Sequence, residues 1–143
     1  MRTAVGTLIL SLILIFSSGC AGSDEIAIID PWARPGFQGD NSAAYMVIDN
    51  ETDQGDGLIG ANSDVAMITE VHLSKMDAEG NMSMERQDLV GIPAGDSVAL
   101  EPGGLHVMLM NLVNDLQAGD RFELTLEFQR AGDITVEVEV KQP

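Results

Sequence analysis

The sequence predicts an all-β fold, a single antiparallel β-sandwich or barrel. Short apolar runs alternate with turn residues along the chain, and no stretch beyond the N-terminal leader has the spacing of an amphipathic helix. The 143 residues allow one domain of ordinary size once a leader is removed. Ile134 to Val140 shows the pattern most clearly, because apolar residues alternate there with polar ones at a period of two.

Eight segments have the composition and spacing of strands. The first, Ile26 to Ile29, is predicted to end at Asp30-Pro31, and the second, Ala43 to Ile48, is predicted to end at Asp49-Asn50. The remaining predicted strands are Val65 to Met76, Met82 to Asp88, Ser97 to Leu100, Leu105 to Met110, Phe122 to Phe128 and Ile134 to Val140. Glycine-bearing loops are predicted at Pro93 to Asp96 and at Gln117 to Asp120.

The N-terminus has the three parts of a secretory signal peptide. A basic start at Met1-Arg2 precedes an apolar run, Ala4 to Phe16, that is too short to span a bilayer as a mature helix. The small residues before Cys20 resemble the lipobox of bacterial lipoproteins. We therefore predict a signal peptide over residues 1–19, a lipidated Cys20 with a short tether over 20–25, and one domain over 26–143. The alternative is ordinary cleavage nearby, which would leave Cys20 free or removed.

Cysteine content and charge exclude several classes of protein. Cys20 is the only cysteine, so the mature domain can form no internal disulfide and offers no thiolate for catalysis or metal binding. The net charge of −16 argues against nucleic acid or an anionic lipid surface as a partner, since both require basic patches. The acidic residues are scattered, which favours a role in solubility over attraction of cations or of basic partner surfaces.

Both histidines of the chain lie in methionine-rich segments. Period-two alternation from His106 places Met108 and Met110 on the same face as that histidine. Earlier in the chain, Asp77 to Asn81 can form a hairpin with a three-residue loop and Gly80 in the left-handed position. With this register one face collects His72, Met76, Met82 and Met84. His72 and Met84 then become diagonal neighbours, although a slip of one residue would separate them.

Ligand chemistry suggests why these residue types occur together. Thioether sulfur is soft and suits Cu(I), and imidazole is a stronger donor for copper or zinc. A set without cysteine also avoids an oxidation-prone thiolate, which fits an oxidising compartment. The opposing interpretation is packing, because methionine commonly fills gaps in cores and isolated strand histidines usually form surface hydrogen bonds. Met46 and Met67 are predicted to fill the core, and Met110 is assigned to packing in preference to ligation. For a metal site as a whole, spacing alone leaves the two interpretations evenly balanced.

The four residues His72, Met84, His106 and Met108 have a long and specific spacing. It resembles the motif H(M)X10MX21HXM of the PCu(A)C family of periplasmic copper chaperones, with Leu73 at the parenthesised methionine. The resemblance covers most of the mature chain. It includes Pro31-Trp32-Ala33-Arg34, Ala43-Ala44-Tyr45 with Asn50, Pro102 to Met110, Ala118-Gly119-Asp120, and Leu124 to Phe128.

This resemblance implies a cupredoxin-like Greek-key β-sandwich that binds Cu(I) through His72, Met84, His106 and Met108. It also implies delivery of copper, with other assembly factors, towards the binuclear copper centre of cytochrome oxidase. The expected partners are a copper donor and a copper-enzyme acceptor or co-chaperone. Some relatives carry a His/Met-rich tail that holds a second copper, and this sequence ends without one, so we expect one copper per chain. Met76, Met82 and Met110 are candidates for auxiliary contacts.

Four other functions are alternatives to that of a Cu(I) carrier. A copper-scavenging lipoprotein would use the same ligands, and in a structural or adhesion lipoprotein the His/Met residues would be incidental. A blue-copper electron-transfer protein needs a cysteine thiolate ligand, which only Cys20 could supply. An enzyme has the least support, because no Ser/His/Asp arrangement or phosphate loop is present. The 1 Trp, 1 Tyr and 4 Phe also offer little aromatic lining for a substrate pocket.

Overall fold

A computed structural model describes residues 24–142, and within this range every regular element is a β-strand. The strands are β1 (Ile26–Ala33), β2 (Ser42–Asn50), β3 (Asp56–Asn62), β4 (Ala66–Met76), β5 (Met82–Arg86), β6 (Val90–Ile92), β7 (Ser97–Leu100), β8 (Leu105–Leu112), β9 (Arg121–Phe128) and β10 (Gly132–Val140). In this part of the chain no helix is long and apolar enough to cross a membrane. The predicted all-β class is confirmed.

The strands form one continuous sheet in the order β5-β4-β8-β2-β1-β10-β9-β3-β6, with β7 paired to β2. Most neighbours in this order are not consecutive in sequence, which is typical of Greek-key connections and not of a meander. The described pairings are antiparallel except for that of β1 with β10, which is parallel. The sheet brings β3 against β4, so that its inner face encloses the core as a sandwich.

The hydrophobic core is formed by every second residue of the strands, as β9 and β10 show. In β9 the even-numbered residues from Phe122 to Phe128 are buried, whereas the odd-numbered Arg121 and Glu123 are exposed. The predicted alternation in β10 is also present, since Val138 and Val140 are buried and Glu137 is exposed. Burying one such apolar side chain contributes roughly 1.5–3 kcal/mol.

Three elements differ from the sequence-based prediction. β1 does not end at Asp30-Pro31 but continues to Ala33 through an irregularity in its pairing with β2, where Asp30 has a φ of 48°. Pro31, which has no N–H, is tolerated because a bulge removes the need for a ladder hydrogen bond. β3 and β6 were not predicted, because β3 contains two glycines and β6 has only three residues.

Asn50 fixes the end of β2 to two other segments. Its side chain is fully buried, and its Nδ2 donates to the carbonyl oxygens of Gln54, Ile92 and Pro93. Its Oδ1 accepts hydrogen bonds from the backbone and hydroxyl of Thr52. A buried amide is stable only when its polar atoms are satisfied in this way. The predicted loop at Pro93 to Asp96 is therefore held directly by β2.

Candidate metal centre

The hairpin that joins β4 to β5 has the predicted three-residue loop. The backbone N–H of Asp77 donates to the carbonyl of Asn81 at 3.0 Å, and Gly80 has a φ of 86°, which glycine adopts without strain. Hydrogen bonds from the side chain and then the backbone of Asn81 hold the pKa of the Asp77 carboxyl below its ordinary value. Local turn chemistry therefore fixes the register of the two strands.

That register places the first pair of predicted ligands side by side. Ser74 lies opposite Met84 and His72 lies opposite Arg86, so His72 and Met84 are diagonal neighbours on one face. Met76 lies opposite Met82, as the sequence predicted. Val71, the residue before His72 in β4, lies on the other face and is buried in the core. The ligand face of the hairpin is therefore the outer face of the sandwich.

On its other side, β4 pairs with β8, which carries the second pair of predicted ligands. His72 lies directly opposite His106, with ring centroids 6.0 Å apart, and Glu70 lies opposite Met108. Val107, between His106 and Met108 in β8, is fully buried in the core. The structure thus brings His72, Met84, His106 and Met108 together on the outer face of three adjacent strands.

Burial differs strongly among these side chains. His106 is 3% exposed, whereas Met84 on the edge strand β5 is 54% exposed. A groove of about 290 Å³ runs between them, and its lining includes Arg34, Tyr45, Met82, Met84, His106 and Met108. Of the other methionines on this face, Met76 is exposed at the hairpin end and Met110 lies half-buried opposite Ile68.

A larger surface cleft, of about 760 Å³, lies elsewhere and is lined by acidic residues such as Asp24 and Asp56 together with Arg130. It contains no histidine, methionine or cysteine, so size alone does not identify the metal centre.

Each histidine ring has one nitrogen held by an acceptor and one nitrogen without a partner. His106 Nδ1 lies 3.0 Å from the carbonyl of Gly104, and His72 Nε2 lies 2.9 Å from the carboxylate of Glu70. Carbonyl and carboxylate oxygens only accept, so these two nitrogens carry the protons. His106 Nε2 and His72 Nδ1 are buried and have no hydrogen-bond partner. A lone pair left in this state costs free energy unless an ion or another donor reaches it.

The electrostatics of His106 suit a metal ligand. Burial is the main cause that lowers its pKa below the ordinary value, and the nearby His72 and Arg34 lower it further. The hydrogen bond to Gly104 acts in the opposite direction but does not outweigh burial. His106 is therefore neutral at neutral pH, the form in which imidazole coordinates a metal.

The donor set of this face is two imidazole nitrogens and two thioether sulfurs. Thioethers are soft ligands that select Cu(I) over hard cations, so the residues present fit a Cu(I) ion. Within residues 24–142, no group of three or more His, Cys, Asp or Glu side chains gathers into a metal site. Cys20, the predicted lipidation site, lies outside the described residues.

Two features of this face escaped the sequence analysis. Glu70 was not singled out, although its position two residues before His72 puts both on one face of β4. Tyr45 stacks on Trp32 with centroids 4.7 Å apart, and its ring lies 6.4 Å from that of His106. The Arg34 guanidinium lies 5.4 Å from the centre of the Tyr45 ring, within the range of a cation–π contact.

Known proteins resemble the chain over this whole domain. The family model "Putative lipoprotein LpqE-like" matches residues 26–140. A putative lipoprotein of Leifsonia xyli subsp. xyli is 29% identical over 119 residues, which make up 83% of this chain and 71% of the relative. An uncharacterized protein of Rickettsia prowazekii is 32% identical over 120 residues, and the match covers 80% of this chain and 66% of the relative.

Solved structures show the same architecture. The copper-bound PCuAC domain from PmoF2 superposes with a TM-score of 0.68 at 31% identity, covering 83% of this chain and 94% of that domain. The solution structure of the Cu(I) form of DR1885 from Deinococcus radiodurans gives a TM-score of 0.63 at 27% identity, covering 85% of this chain and 83% of that protein.

Proposed function

Since the chain belongs to the LpqE-like lipoprotein family and has a PCuAC-type domain, we propose that it is a carrier of one Cu(I) ion. The proposed ligands are His72, Met84, His106 and Met108. The ion is cargo, and the protein performs no chemical conversion.

One observation carries the proposal. His72 Nδ1 and His106 Nε2 are both buried without a partner, on rings whose centroids are 6.0 Å apart. A single ion between the rings would satisfy both lone pairs, and Met84 and Met108 share their face. Packing alone offers no reason for two orphaned nitrogens beside two thioethers. The copper-bound PmoF2 domain and the Cu(I) form of DR1885 support copper as the ion.

The exposure of the ligands suggests how copper is released. The imidazole of His106 is buried, but Met84 is 54% exposed on an edge strand. A soft ligand from a partner can therefore replace the Met84 thioether first, while the imidazoles still hold the ion. Met82, which also lines the groove, and Met76, which lies opposite Met82 in the hairpin, are exposed thioethers that offer weak intermediate contacts. This asymmetry suits a protein that must give up its cargo.

The proposal extends to location and partners. The lipoprotein relatives support an exported chain that is lipid-anchored through Cys20, and we place its domain on the periplasmic side of the membrane. Copper would come from a donor and pass to a copper enzyme or co-chaperone. The binuclear copper centre of cytochrome oxidase is the proposed destination, on the strength of the motif resemblance alone.

Anaerobic titration with Cu(I) against a competing chelator tests the site. We expect one tight equivalent, and we expect Met84→Ala and His106→Ala each to weaken binding by about tenfold or more, because each removes a ligand. Met67→Ala is the matched control, since Met67 is 70% exposed and lies on the opposite side of β4 in alternation. Equal affinity in all three variants would refute the ligand assignment.

Met67 was predicted to lie in the core, and that prediction is wrong, because Met67 is largely exposed. Met46 does pack in the core at 3% exposure. A truncation of Met46 would leave a cavity and destabilise the fold by about 2–5 kcal/mol, so it would be a poor control for binding.

Zinc provides a second test of the donor set. We expect Zn(II) to bind more weakly than Cu(I), because two thioethers are poor zinc ligands and only two imidazoles remain. Competition between the two ions at equal free concentration measures the order directly. Tighter binding of Zn(II) would point to a zinc-binding protein instead.

A further inference from the structure

We propose that Glu70 is a positioning residue for copper binding: it sets the tautomer of His72 and so presents the Nδ1 lone pair to the ion. The inference rests on the proposed function and adds a residue outside the four-ligand motif. Glu70 lies on β4 two residues before His72, and across from Met108 of β8. Its carboxylate therefore lies on the ligand face without being one of the soft donors.

Both carboxylate oxygens of Glu70 are engaged. Oε2 lies 2.9 Å from His72 Nε2, and Oε1 accepts a hydrogen bond from the Arg86 guanidinium at 3.0 Å. Arg86 in turn lies 3.1 Å from a carboxylate oxygen of Asp88. The Glu70 and His72 side chains are only 23% and 13% exposed, whereas Arg86 is largely exposed. Arg86 of β5 thus fixes the Glu70 carboxylate, and the carboxylate in turn fixes the His72 ring.

The tautomer decides whether His72 can bind an ion. A neutral imidazole carries its proton on either nitrogen, and only the bare nitrogen can coordinate. The carboxylate of Glu70 accepts a hydrogen bond from Nε2–H and so favours the tautomer in which Nδ1 carries no proton. Nδ1 is the buried atom without a partner. With an apolar side chain at position 70, the proton is free to occupy Nδ1 and block coordination.

His106 shows the same arrangement in reverse. The backbone carbonyl of Gly104 accepts a hydrogen bond from Nδ1–H, and Nε2 is left without a proton. The two rings therefore use opposite nitrogens, and each is set by a separate acceptor. The acceptor for His72 is a side chain, so substitution of Glu70 removes its hydrogen bond. The acceptor for His106 is a backbone carbonyl, which that substitution leaves in place, so the His106 tautomer serves as an internal reference.

Nuclear magnetic resonance of the metal-free protein tests this directly, through long-range ¹H–¹⁵N correlations in the two imidazole rings. In the wild type we expect the Nε2–H form of His72 and the Nδ1–H form of His106. Glu70→Leu should leave His72 as a mixture of tautomers and leave His106 unchanged. Glu70→Gln, whose amide oxygen can still accept, should largely preserve the His72 tautomer.

Cu(I) affinity provides the second readout. We expect a loss of about 10- to 100-fold in Glu70→Leu and a smaller loss in Glu70→Gln, the range usual for residues that orient a metal ligand. Glu85→Leu is the matched control, because Glu85 lies on the same hairpin and pairs with Lys75. It should change neither the tautomers nor the affinity.

An unchanged His72 tautomer in Glu70→Leu, or an affinity equal to that of Glu85→Leu, would overturn the positioning role. A wild-type protein that binds no Cu(I) would instead refute the proposed function. The tautomer measurement needs no metal, so the two failures are distinguishable.

Discussion

At the scale of single residues, the unpartnered ring nitrogens separate a metal site from ordinary packing. A buried polar atom without a partner costs about 1–3 kcal/mol, and the two rings that carry such atoms have centroids only 6.0 Å apart. Methionine burial is less informative, since Met46 fills the core while Met67 and Met84 are exposed. The pairing of soft sulfur with bare imidazole nitrogen carries the assignment.

Asp56 illustrates a residue whose charge stabilises the fold. Its carboxylate accepts backbone hydrogen bonds from Gly57 of β3 and from Arg130 and Ala131 in the β9–β10 turn. Partial burial raises its pKa, but these hydrogen bonds and the Arg130 charge outweigh burial, so the pKa lies below the ordinary 3.8. The ionised form therefore stabilises the fold above pH 3.8, and this contribution is lost as the pH falls through the lowered pKa.

We predict that Asp56→Ala lowers the free energy of unfolding at neutral pH by about 1–3 kcal/mol, because it removes an ionised acceptor of three N–H groups. The difference from the wild type should shrink as the pH falls below 3.8 and through the lowered pKa of Asp56. Urea unfolding over this pH range measures both quantities. Asp133→Ala, on an exposed position of β10, is the control. A difference that does not depend on pH would contradict this account.

At the scale of elements, the turn of the β4–β5 hairpin determines where the proposed ligands of that hairpin lie. The turn at Asp77 to Asn81 sets the pairing of Ser74 with Met84, and that pairing puts Met84 diagonal to His72. A shift of one residue turns a strand side chain to the other face of the sheet. The proposed copper site therefore depends on strand register as well as on residue identity.

We predict that one alanine inserted between Ser83 and Met84 reduces Cu(I) affinity to that of Met84→Ala, because Met84 moves to the opposite face. The fold should persist, since β5 is an edge strand that pairs only with β4 within the described residues. Chelator competition and circular dichroism measure the two outcomes. An alanine inserted after Asp88, beyond β5, is the control. Wild-type affinity in the first insertion would mean that register does not place this ligand.

Sequence predicted some of these elements because their signals are local. Alternation and turn residues gave eight strands, and the hairpin register followed from five consecutive residues. The pairing of His72 with His106 could not be read from spacing, because strand neighbours far apart in sequence are chosen by tertiary packing. The acceptors Glu70 and Gly104 were equally hidden, since the sequence does not reveal which ring nitrogen each one meets.

At the scale of the whole molecule, the proposed copper site lies on the opposite face of the sheet from the hydrophobic core. The strands that carry the ligands turn Val71 and Val107 into the core and the histidines outward. Copper can therefore enter and leave without disturbing the buried apolar contacts, which suits a carrier. If Cys20 is lipidated, the six residues from it to Ile26 reach at most about 20 Å, so the domain would stay close to the membrane.

X-ray absorption at the copper edge of the Cu(I)-loaded protein tests the central claim most directly, because it identifies the atoms bound to the ion. We predict two nitrogen and two sulfur ligands in the wild type, and one sulfur fewer in Met84→Ala. The Met67→Ala control should match the wild type. A copper ion bound by nitrogen and oxygen alone, with no sulfur, would contradict the account.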